Sequence, residues 1–197
     1  MNERFAQISY ESLAPETKTL ADEILKISSA GLGGPYNALL RSPQMADRCF
    51  SLLDYLRFKT TVPKRLNEFA ILIQARISNA QYEWWAHETI ARKAGLRDEV
   101  MAQLRECQRP TNMLDDEKLV YDYCVQISLN HRVSDDLWKK VINAMGEKAV
   151  VDLTVLSGTY VMVSMLLNAT QVGIPGGGPE PLKVLSPSVI REKLLAN

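Results

Sequence analysis

Apolar residues recur at helical spacing along almost the whole chain. In the stretch KRLNEFAILIQARIS, the residues Leu66, Phe69, Ala70, Ile73 and Ile77 lie three or four positions apart, which places them on one face of a helix. The earlier segment PETKTLADEILKIS has the same spacing. We find no segment in which apolar and polar residues alternate as they do in a half-buried strand. The pattern therefore predicts an all-α protein.

Helix-breaking residues divide this pattern into separate helices. Pro43 and Pro63 lie where a proline favours the first turn of a helix. Asn79 interrupts the apolar spacing, and Gly95 and Gly146 are typical of helix ends. A helix hairpin with its turn near Asn79 is therefore predicted at the centre of the chain. The helices predicted after Gly95 span residues 98–107, 116–130, 135–145 and 147–172.

The apolar pattern stops near residue 175, which suggests a boundary. We predict a single all-α domain over residues 1–175 and an extended C-terminal arm over residues 176–197. The segment GIPGGGPEP at this boundary does not continue a helix. An arm of this kind either frays or wraps a neighbouring subunit. The most apolar segment, residues 150–169, contains Asp152 and several small polar residues, so we interpret it as a core helix and not as a membrane span.

Charge and composition exclude several classes of function. The chain has 197 residues with 23 basic and 23 acidic side chains, and this balance argues against general attraction to nucleic acid or an anionic membrane. The N-terminal segment lacks the apolar core of a secretory signal, so we expect a cytoplasmic protein. The three cysteines, Cys49, Cys107 and Cys124, are far apart and form no CxxC motif. We interpret them as reduced structural thiols.

Two acidic residues and a histidine fall close together in the predicted hairpin. Glu83 and His87 are four residues apart in NAQYEWWAHETIARKAGL, so they lie on one helix face, about 6 Å apart. Glu68 precedes the turn by about as many residues as His87 follows it, which places both at nearly one level on antiparallel helices. In such a cluster, two carboxylates orient an imidazole and tune its pKa. The pattern indicates a candidate acid–base site.

These residues also have more ordinary interpretations. Glutamate and histidine at this spacing are often only a surface pair, and adjacent tryptophans usually pack in a core or a subunit interface. A metal site is a third interpretation, but neither an HExxH nor an ExxH motif supports it, and we predict none. The other histidine, His131, lies at a predicted helix end, where capping is the default role.

The hairpin residues resemble the carboxymuconolactone decarboxylase family, which shares its fold with the alkylhydroperoxidase D proteins. The resemblance lies in PKRLNEFAILIQARISNAQYEWWAHETIARKAGL and its flanking segments, over roughly residues 34–175. It implies an alkylhydroperoxidase D-like helical bundle with a central helix hairpin. Redox members of the family carry a CxxC pair whose positions fall on Ala80 and Glu83 in this sequence. Without these thiols the peroxidase cycle has no sulfenate or disulfide step, so the decarboxylase branch fits better.

That branch implies a reaction and roles for the clustered residues. The family reaction converts 4-carboxymuconolactone to an enol-lactone with loss of CO₂ and uses no cofactor. Loss of CO₂ leaves a dienolate that a positioned acid must protonate. His87 is the implied proton donor. Glu83 would fix its tautomer and raise its pKa, and Glu68 would be the second orienting carboxylate.

Further residues are assigned to the substrate and to assembly. Tyr82 or Trp84 would wall the pocket and exclude water, and Arg65 is our choice for binding a substrate carboxylate, with Arg57 and Arg76 as the other nearby arginines. The family implies a homo-oligomer, a trimer or a hexamer. We therefore expect a lyase that acts on a small lactone or an enolisable carboxylic acid. The alternatives are an alkylhydroperoxidase-like antioxidant activity, disfavoured without CxxC, and a non-enzymatic oligomer that binds a small molecule.

Overall fold

The computed structural model describes residues 3–28 and 30–196, and in this part of the chain all regular structure is helical. Two short 3₁₀ turns, Tyr10–Ser12 and Pro175–Gly177, accompany the α-helices. The helices are α1 Pro15–Ile27, α2 Pro35–Leu39, α3 Pro43–Phe58, α4 Lys64–Ile77, α5 Gln81–Lys93, α6 Asp98–Arg105, α7 Asp115–Asn130, α8 Asp135–Thr170 and α9 Pro187–Leu195. The prediction of an all-α protein is confirmed.

The central hairpin is formed by α4 and α5. Helix α4 ends at Ile77, and Asn79 adopts a left-handed backbone with φ of 49°, which asparagine tolerates better than most residues. The chain then reverses into α5. The predicted break at Asn79 is confirmed, and Gly95, with φ of 95°, follows the end of α5 as predicted.

Helix α4 lies at the centre of the core. It packs against α5, α7 and α8, and every residue from Leu66 to Arg76 is buried. A helix buried on all sides gains most of its stability from packing and not from intrinsic helix propensity. A second apolar cluster joins α1, α2 and α3 through residues such as Ile24 and Leu40. The two clusters meet at α8 near Met162, and the candidate site described below lies between them.

Helix α8 is long and apolar, and it is interrupted once. Gly146 has φ of 79° and ψ of 160°, so the helix breaks there as the sequence predicts. By length and composition α8 is apolar enough to span a membrane, but 56% of its most apolar window is buried inside the protein. That burial is typical of a core helix.

The C-terminal arm differs from the prediction. It is extended only as far as Ser186, after which α9 forms, and its residues Leu182, Ile190 and Leu194 are buried in the main core. Polar side chains of the hairpin hold the arm: Asn79 bonds to the backbone of Leu185 through both its amide oxygen and its amide nitrogen. The arm therefore packs on its own chain, because its apolar residues find partners there.

Candidate functional site

The hairpin brings Glu68, Glu83 and His87 into one cluster. Nδ1 of His87 lies 2.6 Å from Oε2 of Glu68, and Nε2 of His87 lies 3.0 Å from Oε1 of Glu83. The three side chains are almost fully buried, with exposed fractions of 0%, 4% and 8% in chain order. Both nitrogens of the imidazole are therefore held by carboxylates, which excludes the surface-pair interpretation.

Local structure explains why these three side chains meet. Glu83 and His87 are one turn apart on α5, and Glu68 projects from α4 at the same level across the hairpin. The ring of Tyr160, from α8, meets the His87 ring edge-on with 5.4 Å between ring centroids. Lys64 lies one turn before Glu68, and its Nζ is 2.5 Å from Oε1 of Glu68. Contacts from three helices thus fix the imidazole.

The charges of the cluster reinforce one another. Burial by itself lowers the pKa of His87, but the charges of Glu68 and Glu83 outweigh burial and raise this pKa to about 9. Burial likewise raises the pKa of Glu68, but His87 and Lys64 outweigh it and lower this pKa to about 2. At neutral pH His87 is therefore an imidazolium, and both of its N–H groups face carboxylates.

A cavity of about 70 Å³ lies against this cluster. It is lined by α3, α5, α8 and the segment from the end of α1 to α2. Apolar side chains such as Leu53 and Val163 form part of its wall. The side chains with polar groups on the wall are Ser28, Tyr36, Arg57, Tyr82, Glu83, His87 and Tyr160. The cavity thus combines an apolar enclosure with a few converging polar groups, as small-molecule sites do.

The structure places Tyr82 on the cavity wall, as predicted from the sequence. Burial, with a smaller effect from Glu83, raises the pKa of Tyr82 to about 12, so the phenol is neutral. The backbone of Gly34 passes directly beneath it. A Cβ at residue 34 would lie 2.5 Å from the Tyr82 hydroxyl, so glycine is required for this close approach.

The pocket role predicted for Trp84 is wrong. Its side chain is fully buried in the main core and is absent from the cavity wall, and its indole N–H donates to Glu88 at 3.2 Å. Its neighbour Trp85 is 41% exposed and packs against Tyr82 on the outer side of α5. Adjacent helical residues point about 100° apart, so the two tryptophans have different surroundings.

The choice of Arg65 as the substrate-binding arginine is also wrong. Arg65 turns toward the start of α7, where its guanidinium pairs with Asp116 and Glu117. Arg57 is the arginine on the cavity wall, one turn after Leu53 on the same face of α3. The sequence reasoning named Arg57 without a role, and it missed Tyr36 and Tyr160. Their shared signal is a polar tip on a side chain at an otherwise apolar, core-facing helix position.

The cysteines lie away from the cavity. Cys49, Cys107 and Cys124 are all buried free thiols, and none of them lines the cavity wall. Burial raises the pKa of each thiol, that of Cys124 to about 12, which disfavours the reactive thiolate. Within residues 3–28 and 30–196, no three His, Cys, Asp or Glu side chains are placed to hold a metal ion.

Comparisons with known proteins bear on the fold. No family model matches the sequence, and no curated protein matches it. The structure is similar to the crystal structure of an alkylhydroperoxidase AhpD core protein from Ralstonia eutropha JMP134, described as an uncharacterized peroxidase-related protein. The TM-score is 0.72 at 14% sequence identity, over 88% of this chain and 93% of the other. The chain therefore has the alkylhydroperoxidase D-like fold predicted from its sequence.

Proposed function

We propose that the protein is a cofactor-independent lyase that acts on a small lactone or an enolisable carboxylic acid by general acid–base catalysis. The observation that carries this proposal is the buried imidazole of His87, held between Glu68 and Glu83 on the wall of a cavity. One fold can host many reactions, so we base the proposed function on this site and not on the fold.

The cluster suits the protonation step of a decarboxylation. When the bond between carbon and carboxylate breaks, its electron pair enters the conjugated lactone, and the resulting dienolate carbon needs a proton. His87 carries that proton at neutral pH. Glu83 holds the longer of the two contacts to the ring, so substrate entry breaks this contact more readily than the 2.6 Å contact to Glu68. Glu68 then keeps the ring in place while Nε2 donates.

The walls of the cavity favour this chemistry by excluding water. Tyr82 and Tyr160 are almost fully buried, and their phenols stay neutral because burial raises both pKa values. In a site of low polarity, the interaction between a developing enolate and the imidazolium is stronger than it is in water. The enclosure therefore supports proton transfer to carbon.

The test is turnover of 4-carboxymuconolactone, followed by CO₂ release and by loss of ultraviolet absorbance. Wild type is compared with Glu83→Gln and with Glu88→Gln as a matched control. Glu88 lies on the same helix but pairs with Arg92 and Arg105 outside the cavity. We expect turnover by wild type and the control and a large loss in Glu83→Gln. Equal turnover by all three would remove the cluster from the mechanism.

The alternative of an alkylhydroperoxidase-like activity has a separate test. The positions of the redox cysteine pair are occupied by Ala80 and Glu83, and the existing thiols lie away from the cavity. Peroxide consumption with a dithiol reductant that depends on His87 would favour this alternative. Retained ligand in native mass spectrometry, with no turnover of lactones or acids, would favour a non-enzymatic binding protein.

We also propose that the chain forms a homo-oligomer, a trimer or a hexamer. The outer face of α8 exposes Val151, Val155 and Met165, with exposed fractions of 59%, 41% and 65%. Large exposed apolar side chains on one helix favour burial between subunits. Light scattering at micromolar concentration should give a multiple of the 22.1 kDa chain mass, and Val155→Lys should lower it. A monomeric mass for wild type would contradict the proposal.

A further inference from the structure

The charges around the cavity leave one cation without a matching anion. Glu68 is matched by Lys64 at 2.5 Å, and Glu83 by the imidazolium of His87 at 3.0 Å. Arg57, which also lines the cavity, has no carboxylate within ion-pair distance in the described part of the chain, residues 3–28 and 30–196. The cavity therefore has an excess of one positive charge at neutral pH.

The surroundings of Arg57 are aromatic and only weakly polar. Its guanidinium carbon lies 4.9 Å from the centre of the Phe58 ring, and Tyr36 and Tyr160 share the cavity wall with it. Its Nε is buried and has no hydrogen-bond partner among the described residues. A buried charge and an unsatisfied N–H group both cost free energy, and a bound carboxylate would relieve both costs.

Arg57 nevertheless keeps its charge. Burial lowers its pKa, but the phenols of Tyr160 and Tyr36 and the carboxylates of Glu68 and Glu83 outweigh burial, so the net pKa is raised. Glu68 and Glu83 affect the pKa of Arg57 from beyond ion-pair distance. Each of these carboxylates has a nearer cation, Lys64 for Glu68 and His87 for Glu83. The guanidinium is thus an available donor for an anion in the cavity.

We propose that Arg57 binds a carboxylate of the substrate, so that the site takes small carboxylic acids that present this carboxylate to Arg57 and their reacting carbon to His87. The proposal deepens the proposed lyase function and rests on it for the fate of the substrate. The carboxylate on Arg57 is the group that stays, because an ion pair stabilises the anion against loss of CO₂. The bond that breaks, or the carbon that is protonated, lies at the His87 end.

The size of the cavity narrows the substrate class further. A water needs roughly 10–15 Å³ by this measure, so the cavity of about 70 Å³ has room for about five to seven waters. A carboxylate and a few more heavy atoms fill such a space. Compact acids and small-ring lactone acids are therefore the expected ligands.

Binding of simple carboxylates tests the proposal without any turnover. Calorimetric titrations with propionate and with furoate, each compared with its uncharged amide, are made on wild type, Arg57→Gln, Arg57→Lys and Arg48→Gln. Arg48 is the matched control, because it is exposed on the same helix and donates only to a backbone carbonyl. Thermal melts show whether each variant is folded.

We expect saturable binding of the acids, and not of the amides, by wild type and Arg48→Gln. Arg57→Gln should bind at least about tenfold more weakly, as expected for a lost charge-assisted bond, and Arg57→Lys should lie between the two. Unchanged affinity in a folded Arg57→Gln would overturn the proposal. Equal binding of the amides, or no saturable binding by wild type at tens of millimolar, would also overturn it.

The same variants, together with His87→Gln, separate this proposal from the lyase function. Arg57-dependent binding of the acids without turnover of any lactone or acid would uphold the anion site and reject the lyase. Turnover that requires His87 but has the same KM in wild type and Arg57→Gln would uphold the lyase and reject the anion site. The two ideas therefore fail in different experiments.

Discussion

Two clusters with buried carboxylates each include one residue of α4, Glu68 in one and Arg65 in the other, and they differ in what they can do. At the cavity, Glu68 and Glu83 hold His87. At the other cluster, Glu117 of α7 accepts from Arg97 at 2.8 Å and from the backbone N–H of Leu114 at 2.7 Å, and Arg65 of α4 pairs with its other oxygen. The Glu117 side chain is fully buried, as Glu68 is.

The difference is in the cation and in the space beside it. Arginine does not release its proton in proteins, so the two cations of the Glu117 cluster, Arg65 and Arg97, keep their charge. Histidine changes charge within an accessible pH range, and His87 has a cavity beside it. Burial and ion pairing alone therefore do not indicate catalysis. A titratable side chain that faces a cavity is the feature that indicates catalysis.

The largest effect should be on turnover. In His87→Gln the amide keeps about the same volume but carries no transferable proton, so we expect kcat to fall about 10²–10⁴-fold. Glu117→Gln, assayed at a temperature where it is folded, should keep kcat within about twofold, since this cluster does not line the cavity. Parallel assays of the two variants check the contrast. A comparable loss of kcat in Glu117→Gln would break it.

The next-largest effect should be on stability, and it should appear at the Glu117 cluster. Removing one partner of a buried ion pair costs about 3–5 kcal/mol, but Arg65 and Arg97 are 20% and 37% exposed, so about 2–3 kcal/mol is expected for Glu117→Gln. Urea unfolding followed by circular dichroism measures this loss. A loss below about 0.5 kcal/mol would mean that the cluster is not structural.

A third test is the pH dependence of the stability that the cluster at the cavity contributes. The pKa of Glu68 is lowered from 4.5 to about 2, so its contribution is complete above pH 4.5 and is lost as pH falls toward 2. The pKa of His87 is raised from 6.5 to about 9, so its contribution is complete below pH 6.5 and is lost as pH rises through 9. The combined contribution is therefore greatest between pH 4.5 and 6.5.

This prediction is checked by subtracting two unfolding curves measured over pH. The free energy of unfolding of the double variant Glu68→Gln with His87→Gln is subtracted from that of wild type at each pH. The difference should decline on both sides of its maximum. A difference that does not change with pH would contradict the assignment of charge in the cluster.

The smallest effect is expected for Lys64→Gln. Lys64 pairs with Glu68 but is 39% exposed, so water screens the pair and the loss should be at most about 1 kcal/mol. Lys59→Gln is the control, because Lys59 is 61% exposed and pairs with Asp54 away from the cavity. Unfolding measurements on both variants show whether Lys64 contributes to the free energy of unfolding. A loss above about 2 kcal/mol would show that Glu68 depends on Lys64 as much as on His87.

The part of the site within the hairpin was predictable because it depends on local geometry. Glu83 and His87 are one helical turn apart, and Glu68 is matched to them across a single turn at Asn79. Helical periodicity and one chain reversal are enough to bring the three together. The all-α fold was predictable for the same reason, since strong apolar spacing marks each helix.

The rest of the site depends on packing between distant segments. Tyr36, Arg57 and Tyr160 come from three helices whose arrangement around the hairpin no local pattern reveals. The direction of Arg65 depends on the acidic start of α7, which attracts it away from the cavity. Sequence spacing along α4 gives no information about that neighbour.

Helix α9 in the C-terminal arm, which we did not predict, has a helix-start signal in the local sequence. Ser186 precedes Pro187 as Ser42 precedes Pro43, and its hydroxyl accepts from the Val189 N–H at 3.4 Å at the start of α9. The glycine and proline residues before Ser186 favour an extended arm, although they end only the preceding helix. The segment after a break needs its own capping analysis.

The role of His87 as a proton donor is tested most directly by its protonation state. ¹⁵N nuclear magnetic resonance of the imidazole over a pH series measures this state. The chain has two histidines, so His131→Gln assigns the signals. We expect an imidazolium with both nitrogens protonated at pH 7 and a transition near pH 9. A neutral imidazole at pH 7, with one unprotonated nitrogen, would contradict the claim that His87 is a stored proton between two carboxylates.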